Sequence, residues 1–223
     1  MLFVPRLRFV PRLRSARNKT LVFNSMKRLF FTFLIAIMLV TAPVFARDDY
    51  SYKKEFGATF GLSPDSYRGI IGRVTGQQYY EASLNLGYVF WQNDDYAWKY
   101  KISLIPFALV HGDEATLSRR TSRTVYAGGA EPIGLQLNFR NHRKLQPFVN
   151  ATGGFLYFTE QVPVTDSSQY NFTFSFGGGV EIFSDSHSLV LGGRYHHISN
   201  GYTATKNPGI DSLIFSIGFS FKR

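Results

Sequence analysis

The chain has 223 residues, no Cys, 20 Gly and 17% aromatic side chains, a composition that suits one domain of antiparallel sheet and excludes disulfides, Cys-ligated zinc and thiol catalysis. The formal net charge of +10 sits at one end: eight of the 25 Lys and Arg precede Arg47, and no acidic residue precedes Asp48. From Arg47 onward 17 basic residues face 15 acidic ones, which removes the support that a high pI would lend to nucleic-acid binding.

In chain order, residues 1–25 carry a direct duplication, FVPRLR at Phe3–Arg8 and again at Phe9–Arg14. Secretion signals stand at the N-terminus, so this stretch reads either as an upstream start-site artefact, with Met26 the initiator, or as a lengthened signal region. Residues 26–46 have the three parts of a secretory signal peptide. Lys27 and Arg28 form the positive end, Leu29–Val40 the apolar centre, and Val44-Phe45-Ala46 offers cleavage after Ala46. The apolar run is shorter than the roughly 20 residues a spanning helix needs. Residues 47–223 are expected to form the folded domain.

That domain is almost free of helical periodicity. Alternation predicts strands at Lys54–Leu62, Tyr79–Trp91, Tyr96–Val110, Glu131–Arg140, Leu145–Thr159, Tyr170–Ser184, Ser188–Ser199 and Ile210–Phe221. Ser66–Val74 reads as a short extra strand or as part of a long first connection. In Tyr170–Phe183, Phe172, Phe174, Phe176, Val180 and Ile182 oppose Asn171, Thr173, Ser175 and Glu181. A soluble sandwich would alternate in the same way. Gly and Ser on the polar sides suit a narrow lumen, however, Tyr and Phe gather near strand ends, and aromatics alternate up to Phe221 behind an export signal. The expected fold is therefore all-β, an eight-stranded antiparallel transmembrane β-barrel. Lys222 and Arg223 follow Phe221, a departure from barrels that end on the aromatic itself.

The last two runs form a hairpin with about ten loop residues. Its first arm puts Leu189, Leu191, Gly193, Tyr195, His197 and Ser199 on one face; its second puts Asp211, Leu213, Phe215, Ile217, Phe219 and Phe221 together. Folding the hairpin symmetrically sets His197 across from Asp211. A nucleophile, a base and an orienting carboxylate then meet on an apolar face. In an eight-stranded barrel with both termini in the periplasm these residues fall at the extracellular rim, where polar side chains toward lipid are expensive and point to function. Each has a bland alternative: Ser199 a solvated turn residue, His197 an interfacial ring, Asp211 a loop-end cap. His196 and Arg194 point to the other side and read as interior polar packing.

YHHISNG (Tyr195–Gly201) followed by NPGID (Asn207–Asp211) resembles the active-site signature of the PagL-type lipid A 3-O-deacylases, eight-stranded outer-membrane hydrolases. The resemblance implies His197 as catalytic base, Ser199 as nucleophile and Asp211 as the acidic member, where the family usually has Glu. Asn200 and Asn207 match the family's asparagines and, with the Gly201 backbone N–H, would supply an oxyanion hole. It further implies lipid A in the outer leaflet as substrate and partner, release of a 3-O-linked hydroxyacyl chain, an outer-membrane location and no metal or cofactor; a homodimer is a further expectation. Two other classes stay open: a non-enzymatic structural or adhesion barrel, and a lipid A acyltransferase, which differs only in the acyl acceptor.

Other signals are weaker. His111-Gly112-Asp113-Glu114 has metal-ligand residue types in what reads as an extracellular loop. Asn150-Ala151-Thr152 and Asn171-Phe172-Thr173 match a glycosylation pattern inside strands. Arg119, Arg120 and Arg123, in an expected Val110–Glu131 connection, would be placed to meet lipopolysaccharide phosphates.

Overall fold

The computed structural model describes residues 52–115, 120–184 and 186–223; the duplication, the signal-like segment and Arg119 lie outside them. Among the described residues there are nine strands: β1 (Lys54–Ser63), β2 (Ser66–Tyr67), β3 (Gln77–Gln92), β4 (Tyr96–Ala115), β5 (Arg120–Phe139), β6 (Leu145–Val162), β7 (Ser168–Ser184), β8 (His187–Ser199) and β9 (Ile210–Lys222). The eight long ones pair antiparallel with their chain neighbours, and β1 pairs with β9 from Glu55↔Lys222 to Leu62↔Phe215, which closes the sheet into a barrel. The two-residue β2 continues along β9 where β1 stops, with Ser66 opposite Ser212 and Tyr67 opposite Asp211.

Period-2 alternation decides the faces. Phe56, Phe60, Leu86, Phe174, Ile217 and Phe219 point outward and are exposed, while Asn171, Thr173, Ser175 and Glu181 point inward and are buried. An apolar outer band of this extent is the surface of a barrel solvated by lipid. The interior is layered. At the end carrying Lys54 and Lys222, Lys99 Nζ meets Glu55 Oε2 at 3.2 Å and Glu181 Oε2 at 2.8 Å. Gln136 Nε2 and Asn138 Nδ2 also donate to Glu181. Lys222 turns inward and pairs with Glu55 and Glu181; the residue beyond the last aromatic thus completes the ion cluster. Arg194 follows at mid-height, between Glu81 and Glu131.

The opposite end of the lumen departs from the expectation of a small, polar interior. Ile105, Val110, Val125, Leu156, Phe158, Ile198, Ile210 and Ile214 pack there into a buried apolar core. In β6 the inward side itself carries Phe148, Leu156 and Phe158. That end is sealed as a soluble protein's core is, by close-packed apolar side chains.

The strand boundaries need one correction. The expected Val110–Glu131 connection is the upper parts of β4 and β5, paired out to Ala115↔Arg120. Register shifts lie between Ile105/Ala108 in the β4–β5 ladder and Ala130/Ile133 in the β5–β6 ladder, bracketing Pro106 and Pro132. Proline and Gly128-Gly129 imitate a turn in sequence, but here they mark bulges inside long strands. His111-Gly112-Asp113-Glu114 is consequently strand, with His111 Nδ1 2.8 Å from Thr124 Oγ1. Arg123, in β5, donates to Gln161 O at 2.7 Å and pairs with Glu160. The rim is therefore uneven. It is tall at β4–β5 and low on the far side of the barrel, where the β8–β9 pairing ends at Ile198↔Ile210.

Candidate active site

The low side of the rim holds the three residues singled out in sequence. The β8–β9 ladder sets His197 directly opposite Asp211, and His197 Nδ1 lies 2.6 Å from Asp211 Oδ1. Both are buried. The direct register lets the short Asp side chain span the gap. Ser199 is half-buried at the end of β8, on the same side of the strand as His197, one strand repeat (~7 Å) along. It makes no hydrogen bond to His197 among the described residues. Across the β7–β8 ladder the partners of Ser199, His197 and Tyr195 are Phe172, Phe174 and Phe176, so an aromatic strip runs beside the three. Tyr195 is buried against Phe176, ring centroids 5.0 Å apart.

Asp211 is held from a second direction, by a segment with no candidate residue in sequence. After β2 the chain folds back over the aspartate: Ile71 N donates to Asp211 Oδ2 at 3.0 Å. A Cβ on Gly72 would stand 2.6 Å from Asp211 N and Oδ1, and one on Gly69 would collide with Oδ2, so only glycine lets the backbone come this close. Arg73 N donates to Pro208 O at 2.8 Å and Val74 N to Gly209 O at 3.2 Å, and Val74 bridges Ile210 in parallel. The one local hint was the pair of glycines bracketing Ile70-Ile71; contact with a residue 140 positions away leaves no other trace.

The loop from Asn200 to Gly209 is tied by its two asparagines. Asn200 N donates to Asn207 Oδ1 at 3.0 Å, Asn200 Nδ2 to Lys206 O at 2.7 Å, and Tyr202 N to Asn200 Oδ1 at 2.9 Å. The buried Asn200 carboxamide is thus spent on the loop, whereas Asn207, fixed through its oxygen, keeps Nδ2 to donate. Gly201 and Gly209 have positive φ, 61° and 62°, and a Cβ on Gly209 would sit 2.9 Å from His197 Cε1. His196 and Arg194 point inward as expected. His196 is fully buried, with Nδ1 2.7 Å from Ser175 Oγ and its ring stacked on Tyr79. Among the described residues no group of three or more His, Asp or Glu is arranged to hold a metal ion.

The family model described as lipid A 3-O-deacylase (PagL) matches residues 78–220, more than half of the chain and a span that contains β8 and most of β9. The outer membrane protein OprG from Pseudomonas aeruginosa is 14% identical, with 80% of this chain and 99% of that one covered and a TM-score of 0.52. The outer membrane enzyme PagL is 16% identical over 76% of this chain and 99% of that one, TM-score 0.49. Neisserial surface protein A is 15% identical over 76% and 97%, TM-score 0.47. At such identities the structural likeness speaks to the barrel fold alone. No curated protein matches the chain. The expected homodimer finds no support in the fold or in these likenesses.

Proposed function

Because this chain belongs to the lipid A 3-O-deacylase (PagL) family of outer-membrane barrels, we propose that it hydrolyses the 3-O-linked hydroxyacyl ester of lipid A with Ser199 as nucleophile, His197 as base and Asp211 as the orienting acid. The observation that carries this reading is the His197–Asp211 hydrogen bond. With Nδ1 engaged by the carboxylate, Nε2 is left as the basic nitrogen. Ser199 Oγ attacks the ester carbonyl as its proton passes to Nε2, and Asp211 stabilises the imidazolium that forms. The imidazolium then protonates the departing sugar oxygen, and water, activated by the same ring, releases the fatty acid from the serine ester. Closure of the Ser199–His197 distance on substrate binding is part of this scheme, since catalytic hydrogen bonds often tighten only in the complex.

The oxyanion is assigned to Asn207 Nδ2 and the Gly201 N–H, a donor of this kind contributing about 3 kcal/mol. Asn200 supports both by fixing the loop. The site is assigned to the outer leaflet, with the aromatic strip of Phe172 and Phe174 as the surface along which the acyl chain lies. Neither metal nor cofactor enters the chemistry.

Mass spectrometry of lipid A from Gram-negative cells expressing the protein, beside Ser199→Ala, tests the proposal. Loss of one hydroxyacyl mass with wild type and not with the variant is expected. Unchanged lipid A with wild-type protein folded in the outer membrane of a host bearing that chain would favour the non-enzymatic barrel. Reappearance of the acyl group on another lipid would mark an acyltransferase.

A further inference from the structure

The segment that folds over Asp211 carries more than its two glycines. It reads Arg68-Gly69-Ile70-Ile71-Gly72-Arg73, and its four side chains are all exposed, Ile70 at 72% and Ile71 at 59%. Neither arginine is ion-paired among the described residues, whereas Arg123 and Arg194 are. The backbone, by contrast, is anchored at three points: Ile71 N on Asp211, Arg73 N on Pro208 and Val74 N on Gly209. Two cations and two large aliphatic side chains are thereby held at fixed positions beside the His197–Asp211 edge. Exposed isoleucines are unfavourable in water and favourable against acyl chains. Arginine, with its planar fork of donors, is the side chain best suited to phosphate oxygens.

We propose that Arg68–Arg73 is a substrate-recognition segment, in which Arg68 and Arg73 bind the phosphorylated sugar headgroup of the lipid while Ile70 and Ile71 lie among its acyl chains. The inference rests on the lipid A reading above and deepens it. A glycolipid with phosphates on its sugars and acyl chains below offers a partner to each kind of side chain in the segment. Because the Ile71 N–H also holds Asp211, headgroup binding and alignment of the acidic residue share one backbone.

The test compares wild type with R68A/R73A in mixed micelles, using bisphosphorylated lipid A and chemically dephosphorylated lipid A. The double variant should raise KM for the phosphorylated lipid on the order of tenfold, leave kcat within about twofold, and lose nothing on the dephosphorylated one; Arg→Lys at both positions should restore part of the difference. An equal loss on both lipids, or no change on either, overturns the proposal. Native mass spectrometry of the full chain as Ser199→Ala, with and without R68A/R73A, reads lipid retention without turnover. Preferential retention of the phosphorylated lipid that depends on the arginines supports the segment even if wild type proves not to be a deacylase. Retention indifferent to them overturns the segment even if deacylation is observed.

Discussion

Asp211 is the residue on which the candidate site turns, because it is gripped from both sides. One carboxylate oxygen faces His197 Nδ1 at 2.6 Å and the other accepts from Ile71 N at 3.0 Å. Removing the charge in Asp211→Asn should leave a folded barrel, judged by heat-modifiable gel mobility, and reduce kcat by about 10³–10⁴-fold, since the wrong imidazole tautomer is then favoured. Asp211→Glu restores the residue usual in the family, yet here it should also lose activity, by roughly tenfold to a hundredfold in kcat. Gly69 and Gly72 pack against the shorter carboxylate and leave no room for a methylene. Activity of the Glu variant equal to wild type would refute that packing explanation. The His197–Asp211 pairing was legible in sequence because a symmetric hairpin fixes its own register. The grip of Ile71 was not, because it joins parts of the chain that only barrel closure brings together.

At the scale of the strand, alternation alone was enough to find eight spanning elements and to sort β7 and β9 into outward and inward faces. It failed in two places, for distinct reasons. Bulges around Pro106 and Pro132 broke the period and hid the upper part of β5. In β6 alternation makes Phe148, Leu156 and Phe158 the apolar face, yet that face turns into the lumen and is buried while Val149 and Tyr157 face out. The outward faces make a direct prediction. Ile217, exposed in mid-β9 between Phe60 and Leu191, faces the hydrocarbon, so Ile217→Lys should destabilise the barrel by about 2–4 kcal/mol. Urea-dependent folding into lipid vesicles measures this. A change under ~0.5 kcal/mol would mean that the position lies at an interface and not in the apolar band.

Across the whole molecule, the lumen is layered: an ion cluster at the end carrying Lys54 and Lys222, an arginine between two glutamates at mid-height, and an apolar core under the loops. The cluster is fully desolvated around Lys99, which has no exposure at all. Lys99→Met takes the buried cation from between Glu55 and Glu181 and leaves Lys222 to face both, with Lys101 on Glu55 alone. The expected cost is about 3 kcal/mol in the same vesicle-folding measurement, without loss of deacylase activity in the molecules that do fold. An unchanged midpoint would show that Lys222 and Lys101 together suffice. The Lys222-Arg223 extension that looked like a departure from barrel endings is explained at this scale only, since its partners come from β1 and β7.

The uneven rim sets the route by which a substrate arrives. β4 and β5, twenty residues each, are ~65 Å long along the strand against an apolar band of about 25 Å, while the strands bearing His197 and Asp211 stop short on the opposite side. In the proposed orientation the site is open sideways, at the level of the leaflet, and walled from above on the far side. Encounter then happens in two dimensions. The rate follows how densely the lipid is packed among its neighbours, and inert lipid added to the bilayer slows the enzyme even when the amount of substrate per volume of water is unchanged.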